Sequence, residues 1–399
     1  MMTGVVLTLI AIFSFLVLLS FLVFFHELGH YSVARFFGIA VERFSIGFGK
    51  PLIRWKSRAG VDWAISRIPL GGYVKFAGDA GAASNPDAEK LAELRAAYDD
   101  NPSGPAIDDI FHFRPVWQRS LVVLAGPMAN FLLAILLFAG MGATFGAPSF
   151  TWVVGDVQDG MPAQAAGIET GDKILEIDGR PITNLNDVIG YISLRSDTPI
   201  VISLENDGRT RDVTVTPKRT EVRDGIGGLS EVGRIGIGTG EGSSGGFKDL
   251  GFFASVKYGV SELFSNLRAT LDYIKRIFTG KEDGKQLGSV VKIATVTGKV
   301  AVDTVNVDAP VSAKAKAYAY NMLNLMALIS IALGVANLMP LPVLDGGHLV
   351  YYGYEAVAGR PLSQKKQEFG FRIGFAVLLT LFVVLTINDI GYLRSIDFS

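Results

Sequence analysis

Cysteine is absent from the 399-residue chain. That excludes structural disulfides and thiolate metal sites, so any bound metal must be held by histidine and carboxylate. Histidine is scarce as well, with only His26, His30, His112 and His348. Charge is thin and balanced: 19% of residues carry one, the formal net is −1, and nothing in the composition suits a nucleic-acid partner. Internal repeats are lacking, and the one biased tract is a glycine-rich linker at 240–246.

What the chain has in plenty is apolar surface, with 49% hydrophobic residues and a mean hydropathy of +0.35. It is too apolar for an ordinary soluble protein and too polar for one lying wholly in lipid. The expected fold class is an α-helical membrane protein with four transmembrane helices, a membrane-associated β-hairpin region and one inserted β-rich α+β domain. The spans are placed at 5–25, 120–145, 318–338 and 371–387. The first has no basic flank and no small-residue cleavage site before His26, and it exceeds a signal-peptide core, so it is expected to be retained as a helix. Arg35, Arg43, Lys50, Arg54, Lys56, Arg58, Arg67 and Lys75 follow it, whereas nothing charged precedes it. The positive-inside rule makes that exit face cytoplasmic, and Arg360, Lys365, Lys366 and Arg372 mark the same face before the fourth span.

At the end of the first span stands His26-Glu27-Leu28-Gly29-His30. On a helix His26 and His30 share a face one turn apart, which lets two imidazoles grip one ion. Glu27 is then placed to take a proton from water, the arrangement of zinc hydrolases. Ionisable groups at membrane depth are costly, which favours function over a chance helix end. Such a site needs a third protein ligand. Counting about twenty residues inward along the third span brings Asn337, and then Asp345, to the depth of His26. Asp345, after the proline-broken end of that span, is the leading candidate; His348 and Glu355 are alternatives. Asn337 is a candidate donor to a developing oxyanion. Pro340 and Pro342 are expected to hold an extended chain that could align a substrate strand.

Residues 41–76 alternate and are punctuated by Gly47, Gly49, Gly71 and Gly72, so they are expected to form a small sheet. Following directly on a membrane helix, that sheet could lean into the bilayer and pair with an unwound substrate through the Gly47-Phe48-Gly49 region. A loop with a short helix at 87–98 comes next. The second span opens with Gly126-Pro127-Met128-Ala129-Asn130, small residues with an Asn suited to close packing in lipid.

From 150 to 240 the composition turns soluble. The run Gly167-Ile168-Glu169-Thr170-Gly171-Asp172-Lys173-Ile174-Leu175-Glu176-Ile177-Asp178-Gly179, with strands and a helix after it, resembles a PDZ domain. Gly233, Ile235, Gly236 and Ile237 are the expected edge of its peptide groove. Residues 247–280 read as an amphipathic helix on the membrane surface. The domain plan is therefore 1–149 for the first two spans with the sheet region, 150–240 for the PDZ-like module, 241–317 for the surface helical linker and 318–399 for the last two spans.

Taken together these motifs, in this order over nearly the whole chain, resemble the bacterial site-2 proteases of the regulator-of-sigma-E type. The resemblance implies a zinc metalloendopeptidase of the bacterial inner membrane. Its active site would lie near the cytoplasmic side and its PDZ domain in the periplasm. It would cut single-span membrane proteins such as anti-sigma factors, after a site-1 protease has trimmed them, and clear remnant signal peptides in the sigma-E stress response. It carries the metal ligands over to His26, His30 and Asp345, the base to Glu27 and a substrate-contacting role to Asn337. The chain departs from the better-known plan in showing one PDZ-like module instead of two, and Gly288-Ser289 where Gly-Pro is expected. A rival reading is a non-catalytic scaffold or sensor that uses the PDZ-like module. A metal transporter is disfavoured because the acidic and His residues gather at one face and do not line a path.

Overall fold

In the computed structural model the described residues are 4–78, 91–93, 95–96, 106–182, 185–223, 229–282, 284, 288, 290–306 and 308–395. The elements run α1 (Gly4–Phe36), β1 (Val41–Lys56), β2 (Asp62–Phe76), α2 (Val116–Thr144), β3 (Ala147–Val157), α3 (Pro162–Ala165), β4 (Lys173–Ile177), β5 (Arg180–Pro181) and α4 (Leu185–Ser193). There follow β6 (Ile200–Asn206), β7 (Arg209–Val215), β8 (Lys218–Arg223), β9 (Leu229–Arg234), β10 (Ile237–Thr239) and β11 (Ser244–Lys248). The chain ends with α5 (Phe252–Phe278), α6 (Val290–Asn306), α7 (Val311–Asn337), α8 (Asp345–Ala358) and α9 (Gln364–Ser395). Most of the short helix expected at 87–98 falls outside the described residues. Helix α6 lies within the helical linker expected at 241–317, beyond the amphipathic stretch placed at 247–280; its apolar positions are interrupted by Lys292, Thr295, Thr297 and Lys299. Two units are distinguished, residues 1–137 with 293–384, and residues 138–292 with 385–399.

In the first unit, α1, α2, α7 and α9 are each long and apolar enough to cross a bilayer. Their outward rows are large and greasy: Phe13, Val17 and Phe21 on α1, Leu132 and Leu136 on α2, Phe375, Leu379 and Phe382 on α9. A water-soluble protein does not expose apolar surface on that scale, whereas lipid accepts it. Inward, small residues allow close approach. A Cβ on Gly29 of α1 would lie 2.3 Å from the Ala125 carbonyl oxygen of α2, and one on Gly334 of α7 would lie 2.6 Å from the Phe131 ring. Leu18, Leu22 and Leu133 fill the space beside them against Leu325, Ile329 and Leu333.

β1 and β2 are antiparallel, and each bends so that it pairs twice. Ser45 opposes both Ala64 and Tyr73, while Arg54 also opposes Ala64, giving four rows in the order 51–56, 62–68, 41–48 and 71–76. The bends fall where only glycine is comfortable: Gly47 at φ +84° and Gly71 at φ +133°. Buried Phe44 anchors the sheet, stacked on Trp63 at 4.3 Å and edge-on to Phe24 and Tyr31 of α1. At the far end Phe48, Leu52, Ile53, Trp55 and Ile68 remain exposed.

The second unit holds a seven-stranded sheet in the order β10-β3-β4-β6-β7, with β11 on β3 and β5 on β4. The β6–β7 hairpin turns at Asp207 (φ +48°) and Gly208 (φ +75°), the positive angles that an Asp-Gly pair supplies. Side chains from β3, β4 and β6 (Trp152, Val154, Ile174, Ile177, Ile200, Ile202 and Leu204) bury against Val188 and Ile192 of α4. The sheet is wider than the stretch expected at 150–240, since β3 begins at Ala147 and β11 ends at Lys248. Helix α5 is tied to this module by Arg195–Asp272, and by Arg276 and Arg219 gripping the buried Glu282.

Candidate metal centre

α1 continues unbroken past the charge-free run to Phe36, so His26 and His30 do share one face. Their Nε2 atoms lie 3.2 Å apart. α7 ends at Asn337, the chain turns through Pro340 and Pro342, and Asp345 opens α8. Its Oδ2 sits 3.3 Å from His26 Nε2 and 3.6 Å from His30 Nε2. A tetrahedral ion holding three such atoms at ~2.0–2.2 Å would set them about 3.3–3.5 Å from one another, so the spacing suits one divalent ion. That Oδ2 is buried and has no hydrogen-bond donor, an orphaned acceptor of the kind a cation satisfies. Among the described residues these three form the only His/Asp/Glu group clustered tightly enough for a metal.

The partners behind these groups come largely from α2. The Val122 carbonyl lies 2.9 Å from His30 Nδ1; an N–H there donates to it and leaves the Nε2 lone pair free. The Asn130 amide lies 3.1 Å from His26 Nδ1. Between them Gly126 leaves the space the rings occupy: a Cβ there would fall 2.2 Å from His30 Nε2 and 2.9 Å from His26 Cε1. Glu27 is buried, with the backbone of Val74 beside its carboxylate. Gly72 passes so close that a Cβ would sit 2.9 Å from Glu27 Cγ. The outer sheet row 71–76 therefore runs directly past this carboxylate. The Asn337 amide reaches His26 Nε2 at 3.4 Å.

The alternatives to Asp345 are engaged elsewhere. Glu355 takes a paired hydrogen bond from Arg119 at 2.6 and 3.1 Å, and the guanidinium also lies over Tyr352, 4.9 Å from the ring centre. The pair joins α8 to α2 and steadies the helix that presents Asp345. His348 sits edge-on to Tyr351, apart from the cluster. The chain at Pro340 and Pro342 is not the extended segment expected: Leu341 N–H bonds to the Met339 carbonyl and Leu344 N–H to that of Leu341. Glycines 346 and 347 permit this, since a Cβ on either would fall 2.2–2.3 Å from carbonyl oxygens of the turn. Pro342 packs towards Gly370 and Gly374 of α9. Gly47, Phe48 and Gly49 shape the bend of β1, with Phe48 stacked on Tyr73 at 6.3 Å. In the other unit Ile235 is buried, Gly236 turns at φ +83° against Met161, and Ile237 lies in β10 at the end of the sheet order. Gly233 closes on the Ile192 carbonyl at the end of α4. Reading the chain did not single out Val122, Gly126, Arg119 or Gly72 for the site. The one available signal was the spacing of Gly126 and Asn130, one helical turn apart.

Two imidazoles and a carboxylate converging at the ends of apolar helices, beside a buried glutamate, define a metal-dependent hydrolase that works within a membrane. Comparison with known proteins agrees. The profile described as Peptidase family M50 matches residues 14–381. Metalloprotease MmpA of Caulobacter vibrioides is 42% identical over 96% of both chains. A protein of Rhizobium meliloti carrying a zinc metalloprotease name is 40% identical over 95% of this chain and 96% of its own. One of Agrobacterium fabrum, similarly named, is 40% identical over 96% of both. The chain belongs to peptidase family M50, the site-2 proteases. It is an intramembrane metalloprotease, its metal is zinc, and its substrates are membrane proteins.

Proposed function

We propose that this enzyme is a regulator-of-sigma-E type protease of the bacterial inner membrane, cutting single-span proteins such as anti-sigma factors and remnant signal peptides after a site-1 protease has trimmed them. The observation that carries the reading is the convergence of His26, His30 and Asp345 beside Glu27 and Asn337 at one end of the apolar helices. The basic residues flanking that end support a cytoplasmic side for it, and the same rule supports a periplasmic side for residues 147–248.

His26, His30 and Asp345 would hold the zinc, which when bound acts as a Lewis acid, polarising the scissile carbonyl and acidifying the attacking water. Glu27 accepts the proton of that water and returns it to the departing amine. Asn337 donates through its amide to the oxygen on which charge develops. A membrane helix hides its amides, so the substrate must unwind before it is cut. The 71–76 row pairs on one side only among the described residues and passes Glu27 at Gly72, which supports its pairing with the unwound strand. Gly47, Phe48 and Gly49 shape the sheet's apolar margin next to it, and Pro340 and Pro342 fix the turn that aims Asp345. We read residues 147–248 as a PDZ domain whose β10 edge, with Gly233, Ile235, Gly236 and Ile237, takes an extended chain and filters substrates. Expression of Glu27→Gln beside wild type with a tagged single-span substrate tests the mechanism. Zinc content should be unchanged and cleavage lost; equal cleavage by the two removes Glu27 from the chemistry.

A further inference from the structure

His26 can ligate through Nε2 only if its proton sits on Nδ1, since that nitrogen must surrender its lone pair to the ring. Nε2 is the atom that faces Asp345 and His30. Whatever touches Nδ1 therefore decides whether the ring is ready to bind. For His30 the arrangement is plain, because a carbonyl can only accept. For His26 the neighbour is the carboxamide of Asn130, fully buried, with Nδ2 placed 3.1 Å from Nδ1 and Oδ1 without any partner. An amide N–H₂ facing a ring N–H sets donor against donor. The two ends of a carboxamide have the same shape and are told apart by their partners. Exchanging them gives the orphaned oxygen a donor and the ring an acceptor in one move.

We propose that Asn130 is a positioning residue: its carboxamide oxygen accepts the Nδ1 proton of His26 and so holds the tautomer whose Nε2 faces His30 and Asp345. Three successive turns of α2 then serve the two rings, an acceptor at Val122, open space at Gly126 and an acceptor at Asn130. The inference rests on the metal-centre reading above. It differs from a packing role, for which the helix already has another contact: Ser330 of α7 donates to the backbone carbonyl of Asn130 at 2.8 Å.

The test is zinc affinity, measured by chelator competition on the purified full-length protein in detergent. The variants are Asn130→Asp, Asn130→Leu, Asn130→Ala and Ser330→Ala. Loss of a partner behind a ligating histidine costs ~10–100-fold in metal affinity, so Asn130→Leu and Asn130→Ala should fall in that range. Asn130→Asp, which can only accept, should stay within a few-fold of wild type. Ser330→Ala, which loosens α2 from α7 without touching the ring, should bind as wild type does. Should Asn130→Leu fail to fold, Asn130→Ala carries the same expectation. The proposal is overturned if Asn130→Asp falls as far as the apolar variants, or if both apolar variants keep full affinity. Wild type that binds no zinc overturns the metal centre and this proposal with it. The expected affinity pattern in a protein that cleaves nothing would instead sink only the proteolytic reading.

Discussion

A single methyl group at Gly126 should disable the enzyme. Its Cβ would lie 2.2 Å from His30 Nε2, 2.4 Å from His30 Cε1 and 2.9 Å from His26 Cε1, all inside any distance real Cβ atoms adopt. Ordinary contact begins near 3.4 Å, so a ring must move by more than an ångström. Neither ring is free to do so, with His30 held at Val122 and His26 at Asn130. Ligand distances in a working metal site tolerate only ~0.2 Å. Misplacement by about 1 Å costs on the order of 100-fold in rate, and overpacking a helix contact costs roughly 1–3 kcal/mol. Gly126→Ala should therefore lose bound zinc and cut at about one-hundredth the wild-type rate or less, with a modest fall in Tm. Gly140, on the same helix, has nothing within 4 Å of its own Cβ position. Gly140→Ala should be neutral or stabilising by up to ~1 kcal/mol, since alanine is the better helix former. Elemental analysis and a gel assay on a tagged substrate measure both variants. Full zinc and normal cleavage in Gly126→Ala would refute the packing that puts both rings over α2.

The Arg119–Glu355 pair is nearly buried, at 9% and 15% side-chain exposure, so removing one partner strands a charge at a cost of ~3–5 kcal/mol. Arg119→Met should thus lower Tm and zinc occupancy, and adding Glu355→Met should restore much of the loss; strictly additive effects in the double-mutant cycle would contradict the clamp. In the second unit Asp172 is fully buried. Burial alone would raise its pKa, but the Glu169 amide, Asn206 and Arg211 outweigh it and hold the carboxyl below its ordinary range. Its folded pKa being depressed, its contribution to stability is fully present above the unfolded value of ~3.9 and disappears as pH falls through the folded one. Hydrogen exchange at β4 and β6 should accelerate over that acid window in wild type. In Asp172→Asn it should be faster at neutral pH and lack this step, and an unchanged acid response would remove Asp172 from the account.

Local pattern carried the sequence reading a long way. A charge-free run must be helical in hydrocarbon, and the helical period alone puts His26 above His30. Alternation with glycine punctuation announced the sheet at 41–76. Where a local rule met a packed environment the reading slipped. Pro340 and Pro342 suggested extended chain, but two glycines let the turn fold back on its own carbonyls. The doubled pairing of β1 with β2 was hidden because it depends on where each strand bends.

The chain itself determined which residue types are available for a metal, and on which helix face two of them stand, because helical periodicity is a property of consecutive residues. It left Asp345, His348 and Glu355 in contention. Only the tertiary structure separates them, bringing Asp345 to 3.3–3.6 Å from the two imidazoles while Arg119 takes up Glu355. The empty space at Gly126 and the acceptors at Val122 and Asn130 belong to the same category. They act across some hundred residues of chain, a separation over which no periodic signal survives, and they exist only once two helices have packed.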